Sequence, residues 1–233
     1  MNYSLIPALI FLTIVIFSDS EDDPAKRRHY KKSERYKLTF KKDKDLDFKR
    51  VDQLTAEEQR NFDTIYNYIV KKHKNITPED ATEITQSLID YGKKYKLDPK
   101  LAAALIARES SFNKEAISVT GAKGLGQIKD FNYKDLSIVN PFSIKENVSG
   151  TVKYLKKMIK NWEDLPESQS EGKPDKPSEK ELDVKLGLAS YFKGFTAVKK
   201  EGVDPKTEAY VEDIIENYKE IIKSAKKSKK KTD

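Results

Sequence analysis

The most informative stretch of this 233-residue chain is 106–128, which reads IARESSFNKEAISVTGAKGLGQI. A helix would place Glu109 on the same apolar face as Leu105, four residues earlier, and near the helix C-terminus. Burial and the helix dipole both disfavour an ionised carboxylate at such a position, which makes Glu109 a candidate general acid. The alternative is a surface glutamate paired with Arg108 or Lys114.

Three glycines follow Glu109 in the same stretch: Gly121, Gly124 and Gly126. Glycines this close together let a backbone approach a ligand. They do not form a phosphate-binding loop, because the G-x-x-x-x-G-K-[ST] pattern is absent and no predicted strand precedes them. For the glycines alone, an ordinary turn between two helices is the alternative.

Together these residues resemble the catalytic domain of soluble-type (SLT) lytic transglycosylases, which is similar to goose-type lysozyme. The family motifs E-S-x-F, A-x-S and G-A-x-G-L-x-Q-[IL] match residues 109–112, 116–118 and 121–128 in order and spacing. Less specific matches extend the resemblance over about 80–222; they are Asn140-Pro141, Asn147-Val148, Gly150, Tyr154-Leu155, residues 189–194 and residues 207–211.

The resemblance implies an all-α, lysozyme-like fold and cleavage of the β-1,4 bond from N-acetylmuramic acid to N-acetylglucosamine in peptidoglycan. It implies that Glu109 is the single catalytic acid and base and that 1,6-anhydromuramyl ends are formed. The substrate N-acetyl group would assist at C1, so no second carboxylate is required. Neither a cofactor nor a metal is implied. Ser118, Gln127, Tyr191 and Tyr210 fall on substrate-binding positions of the family, although both tyrosines alone would fit core aromatics.

The chain departs from the family pattern around the expected glycan groove. Phe192 and Lys193 stand where Asn and Ala are usual, and Lys129-Asp130 stands where Met-Pro is frequent. The loop at 163–180 is also longer than usual. Two other functions remain open: a hydrolytic muramidase of the same fold, and a non-catalytic peptidoglycan-binding or assembly factor, which Phe192 and Lys193 motivate.

Helical spacing of apolar residues predicts six helices between residues 55 and 222. Thr55, Thr77 and Asp98 are candidate N-caps of the first three. No long alternating run indicates a strand. The predicted organisation is a signal peptide or N-terminal anchor at 1–20, a basic flexible linker at 21–50, a lytic transglycosylase-like helical domain at 51–222 with its motif core at 80–222, and a Lys-rich tail at 223–233.

The positive charge is concentrated outside the predicted domain. The whole chain has a net charge of +7, whereas residues 26–50 alone carry +8 and residues 223–233 carry +5. Because the domain has no positive excess and only six of 45 basic residues are Arg, no nucleic-acid partner is predicted. We interpret the basic segments as flexible solvated tails, with loose attachment to the membrane or wall as the alternative.

The N-terminus predicts export. Residues 5–17 form an uncharged, mostly apolar run of thirteen, which is typical of a signal peptide and short for a membrane span. The expected location is the periplasm or cell envelope, with an inner-membrane anchor at 5–17 as the alternative. Absence of Cys excludes disulfides, a thiol nucleophile and a lipid-modified Cys. General wall turnover and a role in a secretion or flagellar assembly both remain open.

Overall fold

The computed structural model describes residues 53–165 and 179–229. These residues form eight α-helices: α1 (Ala56–Lys72), α2 (Pro78–Tyr95), α3 (Pro99–Ser110), α4 (Tyr133–Leu136), α5 (Ile144–Glu163), α6 (Glu179–Lys193), α7 (Phe195–Glu201) and α8 (Pro205–Lys229). None of the helices in these two ranges is both long and apolar enough to cross a bilayer. The predicted signal peptide or anchor, the basic linker and most of the long loop lie outside the described residues.

The first three helices begin at the predicted capping residues. The Thr55 hydroxyl accepts the Glu58 N–H at 3.2 Å, and the Glu58 carboxylate accepts the Thr55 N–H at 2.8 Å. This reciprocal pair is a capping box and satisfies N–H groups that have no partner within the helix. Thr77 caps α2 and Asp98 caps α3 through N–H groups of their first turns. The predicted starts of these helices are confirmed.

Helix α3 lies at the centre of the domain. Residues 101–107 are all buried, and α3 packs against both α2 and α8. A helix that is apolar on all sides is stable only when it is covered on all sides. At its C-terminal end, Ser111 and Phe112 both adopt positive φ angles, 52° and 62°. The chain therefore turns sharply directly after Glu109, which leaves this residue in the last turn of a buried helix.

Helix α5 packs against α2 and α6. The contact with α6 is close because Gly187 faces Ile159; a Cβ at residue 187 would lie 2.4 Å from the Ile159 Cγ1 atom. The buried residues of α5 include polar ones, Asn147 and Thr151, on the side that faces the loop following α3. This helix therefore supports both α6 and that loop.

Three features differ from the sequence-based expectation. Helices α4 and α7 were not predicted, because segments of four and seven residues are too short for a periodic apolar pattern. Helix α8 also continues beyond residue 222 to Lys229. Lys and Ala are good helix formers, so a helix that is already formed extends through this sequence at little cost. Residues 223–229 of the predicted flexible tail are therefore helical.

Candidate active site

The Glu109 carboxyl group lies at the contact between α3 and α8. The Tyr210 hydroxyl, on α8, donates a hydrogen bond to Oε1 of Glu109. Tyr210 itself is only 2% exposed. A buried tyrosine usually finds a partner for its hydroxyl, and here that partner is the predicted catalytic acid. These two residues are separated by 101 positions in the sequence and are brought together by the packing of α8 on α3.

The two cations that could have paired with Glu109 are engaged elsewhere. Arg108 donates from Nε to Asp213 of α8 at 2.7 Å. Lys114 donates from Nζ to Asp80 of α2 at 2.8 Å. The alternative interpretation of Glu109 as a surface glutamate in an ion pair with either residue is therefore wrong.

Burial raises the pKa of the Glu109 carboxyl group above its ordinary value of 4.5. The hydrogen bond from Tyr210 and the charge of Arg108 act in the opposite direction without cancelling it. None of the groups that shift this pKa, among the described residues, is another carboxylate. The same residues contain no cluster of three or more His, Cys, Asp or Glu side chains able to hold a metal ion. The surroundings of Glu109 therefore shift its protonation equilibrium towards the neutral form.

This raised pKa predicts a pH-dependent difference in stability between the wild type and Glu109→Gln. The folded protein holds the Glu109 proton more tightly than the unfolded chain does, so its stabilising effect is complete below about pH 4.5 and is lost as the pH rises through the folded-state pKa. The glutamine cannot ionise and still offers an oxygen to Tyr210. Thermal unfolding should therefore show the variant gaining stability relative to the wild type between about pH 4 and about pH 7. An equal difference at both pH values would contradict the burial of this carboxyl group.

Ser118 and Gln127 lie in the loop between α3 and α4, which folds back on itself. Isolated antiparallel bridges join Lys123 to Ile117 and to Ile128. The Ser118 hydroxyl accepts the Ala122 N–H at 3.0 Å, inside the loop.

The Gln127 side chain is also held inside this loop. Its Nε2 atom donates to the carbonyl of Ala116 at 3.1 Å and to that of Gly124 at 2.9 Å. Both bonds use the amide nitrogen, so Oε1 is the atom that Gln127 can offer to a ligand. None of the hydrogen bonds in the described part of the chain joins Ser118 or Gln127 to Glu109.

The Asn147 side chain, on α5, holds this loop through three hydrogen bonds. Its Oδ1 atom accepts the Gly126 N–H at 2.8 Å, and its Nδ2 atom donates to the carbonyls of Lys123 at 3.1 Å and Pro141 at 2.8 Å. The side chain is 1% exposed, so all three bonds are shielded from water. Asn147 was matched to a family motif but was not predicted as a site residue. The sequence feature that could have identified it is a polar residue on the otherwise apolar face of an amphipathic helix.

Two of the three loop glycines are required by close packing against α5. A Cβ on Gly124 would lie 2.3 Å from Nδ2 of Asn147, and one on Gly126 would lie 1.9 Å from Oγ1 of Thr151. Real Cβ contacts are never this short. In contrast, a Cβ on Gly121 would meet no atom within 4 Å. The close backbone approach predicted from the glycines is therefore made to the protein's own helix α5.

Tyr191 connects the loop to α6. Its hydroxyl donates to the carbonyl of Gly126 at 2.8 Å, directly before Gln127 in the sequence. Burial raises the pKa of Tyr191 well above 10.0, and the charge of Glu109 contributes in the same direction. The structure thus places Tyr210 in contact with Glu109, and it places Ser118 and Gln127 within the loop. Tyr191 is bound to the loop and lies close enough to Glu109 to be influenced by its charge.

The two departures from the family motif on α6 have defined contacts. The Phe192 ring stacks on the Tyr210 ring, with 4.5 Å between centroids and 21° between planes. Lys193 forms ion pairs with Asp204 at 2.9 Å and with Glu201 at 3.2 Å. Both residues therefore contribute to the packing of α6 against the elements that follow it.

Comparison with known proteins identifies relatives of this domain. Residues 86–214 match the model of the "Transglycosylase SLT domain" family. Membrane-bound lytic murein transglycosylase F of Photobacterium profundum is 32% identical over 105 residues, which are 44% of this chain and 18% of the relative. The transglycosylase of Enterobacteria phage PRD1 is 32% identical over 71 residues, 30% of this chain and 27% of the relative. Membrane-bound lytic murein transglycosylase F of Desulfosudis oleivorans is 27% identical over 119 residues, 48% of this chain and 24% of the relative.

These alignments span less than a third of each relative's length. The match to the family model is more extensive in this chain, since it covers over half of the residues and includes Glu109, Gln127, Tyr191 and Tyr210. It also agrees with the helical architecture of the described residues. The chain belongs to the family of the transglycosylase SLT domain.

Proposed function

We propose that this protein is a lytic transglycosylase that cleaves the β-1,4 bond between N-acetylmuramic acid and N-acetylglucosamine in peptidoglycan. The observation that carries the proposal is the half-buried Glu109, whose carboxyl group accepts a hydrogen bond from Tyr210 and has a raised pKa. Family membership and relatives named as murein transglycosylases support the same substrate class.

In the first step, neutral Glu109 acts as the general acid. Because Oε1 accepts the bond from Tyr210, the proton of the acid resides on Oε2. This proton passes to the glycosidic oxygen as the bond to C1 breaks, and the N-acetylglucosamine hydroxyl leaves. The N-acetyl group of the muramyl residue stabilises the positive charge that develops at C1. A substrate group in this role is consistent with the lack of a second carboxylate among the described groups that influence Glu109.

In the second step, the ionised Glu109 acts as the general base. It takes the proton of the muramyl 6-hydroxyl, whose oxygen then forms a bond to C1 and closes a 1,6-anhydro ring. Glu109 is thereby returned to its neutral form, and no water is consumed. The Tyr210 hydroxyl stabilises the carboxylate between the two steps, because a hydrogen bond to an ionised acceptor is stronger than one to a neutral acceptor.

We assign glycan binding to Ser118 and Gln127, and we assign Tyr191 and Tyr210 to the surroundings of the acid. Gln127 offers Oε1 to a sugar hydroxyl or amide, since its nitrogen is already bound to two carbonyls. Ser118 is partly exposed in the same loop. The two tyrosines act mainly on the surroundings of the acid, because their hydroxyls are bound to Gly126 and Glu109.

Replacing Tyr210 by Phe should raise the pKa of Glu109. The hydroxyl lowers this pKa by donating to the carboxylate, whereas the phenylalanine ring retains the burial that raises it. We expect the alkaline limb of the pH profile of kcat/KM to move to higher pH and kcat to fall about tenfold, or about 1.4 kcal/mol in the barrier. A limb that moves to lower pH, or does not move, would contradict the role of this hydroxyl.

Product analysis tests the proposed reaction. The protein is incubated with purified peptidoglycan, and the released fragments are analysed by mass spectrometry. Muropeptides with 1,6-anhydro ends are expected. Reducing ends would assign the protein to the hydrolytic muramidases, and binding without any released fragment would assign it to the non-catalytic class.

We place this activity in the cell envelope, where peptidoglycan is found. The relatives of P. profundum and D. oleivorans are named membrane-bound, which supports that location. Signal-peptide cleavage, attachment through the basic segments and service to a secretion or flagellar assembly remain predictions from the sequence.

A further inference from the structure

Phe192 occupies a position next to the acid that the catalytic scheme does not use. It lies at the end of α6 and is 42% exposed. Its ring stacks on the ring of Tyr210, with 4.5 Å between centroids. Tyr210 in contrast is almost completely buried, at 2% exposure. Phe192 therefore covers the residue that binds Glu109.

The contacts form a chain of three side chains, Phe192 on Tyr210 and Tyr210 on Glu109. The Tyr210 hydroxyl reaches Oε1 only while its ring keeps its present orientation. Without the Phe192 ring, the Tyr210 ring would lose the aromatic side chain that is stacked on it. A shorter polar side chain, such as the Asn usual in the family at this position, would provide no comparable aromatic cover.

Lys193 and Lys206 hold Phe192 in place. Lys193 is tied to Asp204 and Glu201, which fixes the end of α6 to the connection between α7 and α8. The Lys206 ammonium group lies 5.6 Å from the centroid of the Phe192 ring, within the range of a cation–π contact. The Phe192 ring is therefore restrained by its backbone and by a neighbouring cation as well as by Tyr210.

We infer that Phe192 is a positioning residue of this active site, whose ring holds Tyr210 against Glu109. The inference rests on the proposed function of Glu109. Five titratable or charged groups surround this contact. Tyr210 and Arg108 influence the pKa of Glu109, and Tyr191 lies near Glu109 on α6. Asp213 pairs with Arg108, and Lys206 faces the Phe192 ring.

The test is the variant Phe192→Asn, compared with Phe192→Tyr. Release of Tyr210 removes a hydrogen bond that lowers the pKa of Glu109, so the alkaline limb of kcat/KM should move to higher pH in Phe192→Asn, as in Tyr210→Phe. We expect kcat to fall about tenfold and KM to stay within about twofold, the pattern of a lost positioning effect. Phe192→Tyr keeps the ring and should restore the wild-type profile. Leu182→Asn, which removes another exposed apolar side chain of α6, is the control and should leave the profile unchanged.

A second readout does not depend on catalysis. The carbon-13 NMR titration of the Glu109 carboxyl group, assigned with Glu109→Gln, should show a higher midpoint in Phe192→Asn than in the wild type or Phe192→Tyr. An unchanged midpoint would overturn the inference, and so would a raised KM with an unshifted pH limb, which would make Phe192 a sugar contact. If the wild type releases no fragments, the proposed function fails, and the NMR titration still decides the role of Phe192.

Discussion

Glu109→Gln is expected to reduce kcat on peptidoglycan by about 100-fold to 10,000-fold, the usual contribution of a general acid and base. The amide cannot donate a proton to the glycosidic oxygen and cannot accept one from the muramyl 6-hydroxyl, so both steps lose their catalyst. It keeps the size of the side chain and an oxygen for the Tyr210 hydroxyl to bind. The fold and substrate binding should therefore be retained.

The measurement is the rate of fragment release from purified peptidoglycan, with circular dichroism and wall binding as tests of folding. Glu115→Gln is the matched control, because Glu115 is an exposed glutamate close to Glu109 in the sequence. It should keep its activity within about twofold, since surface substitutions remote from the chemistry have small effects. Wild-type rates in Glu109→Gln would remove this residue from the mechanism, and a strong loss in Glu115→Gln would bring a second carboxylate into it.

Gly124→Ala should destabilise the protein by about 3 kcal/mol or more, whereas Gly121→Ala should cost only about 1 kcal/mol. Both glycines have positive φ angles, 73° and 82°, so both variants bear the same backbone penalty. Only the Cβ at residue 124 meets other atoms, at 2.2 Å from the Pro141 carbonyl oxygen and 2.3 Å from Asn147. The difference between the two variants therefore measures the close packing of the loop on α5.

Urea denaturation of both variants gives this difference directly. We also expect Gly124→Ala to lower kcat/KM, because movement of the loop displaces Gln127, whose side chain is bound to the Gly124 carbonyl. Gly121→Ala serves as the control for the activity measurement as well. Equal losses of stability in the two variants would show that Asn147 and Pro141 yield without cost.

Local features of the sequence predicted the parts of the structure that depend on neighbouring residues. Three helices begin at Thr55, Thr77 and Asp98, as predicted. A capping side chain binds N–H groups only two or three positions away, so the local sequence is enough to identify it. The partial burial of Glu109 followed in the same way from its spacing to Leu105. The family resemblance added the full helical fold, which short-range patterns could not provide.

The remainder of the site depends on contacts between residues that are distant in the sequence. Nothing near Glu109 indicates that its partner is Tyr210, 101 positions away, or that Phe192 covers that partner. The role of Asn147 is similarly hidden, since its three bonds reach residues 6 to 24 positions away. Such pairings are set by how the helices pack, and periodicity within one helix carries no information on them.

Helix α8 also contacts the other end of α3, where the Tyr218 hydroxyl donates to the Asp98 carboxylate at 2.7 Å. Tyr210 and Tyr218 thus bind the two ends of the helix that carries the acid, and the seven residues between them set a fixed register. Inserting one residue between them would rotate one tyrosine by about 100° relative to the other, so both bonds could not persist. The spacing of the two tyrosines along α8 therefore fixes how α8 is aligned along α3. For protein engineering, this makes the middle of α8 a poor place for an insertion, even though part of its surface faces solvent.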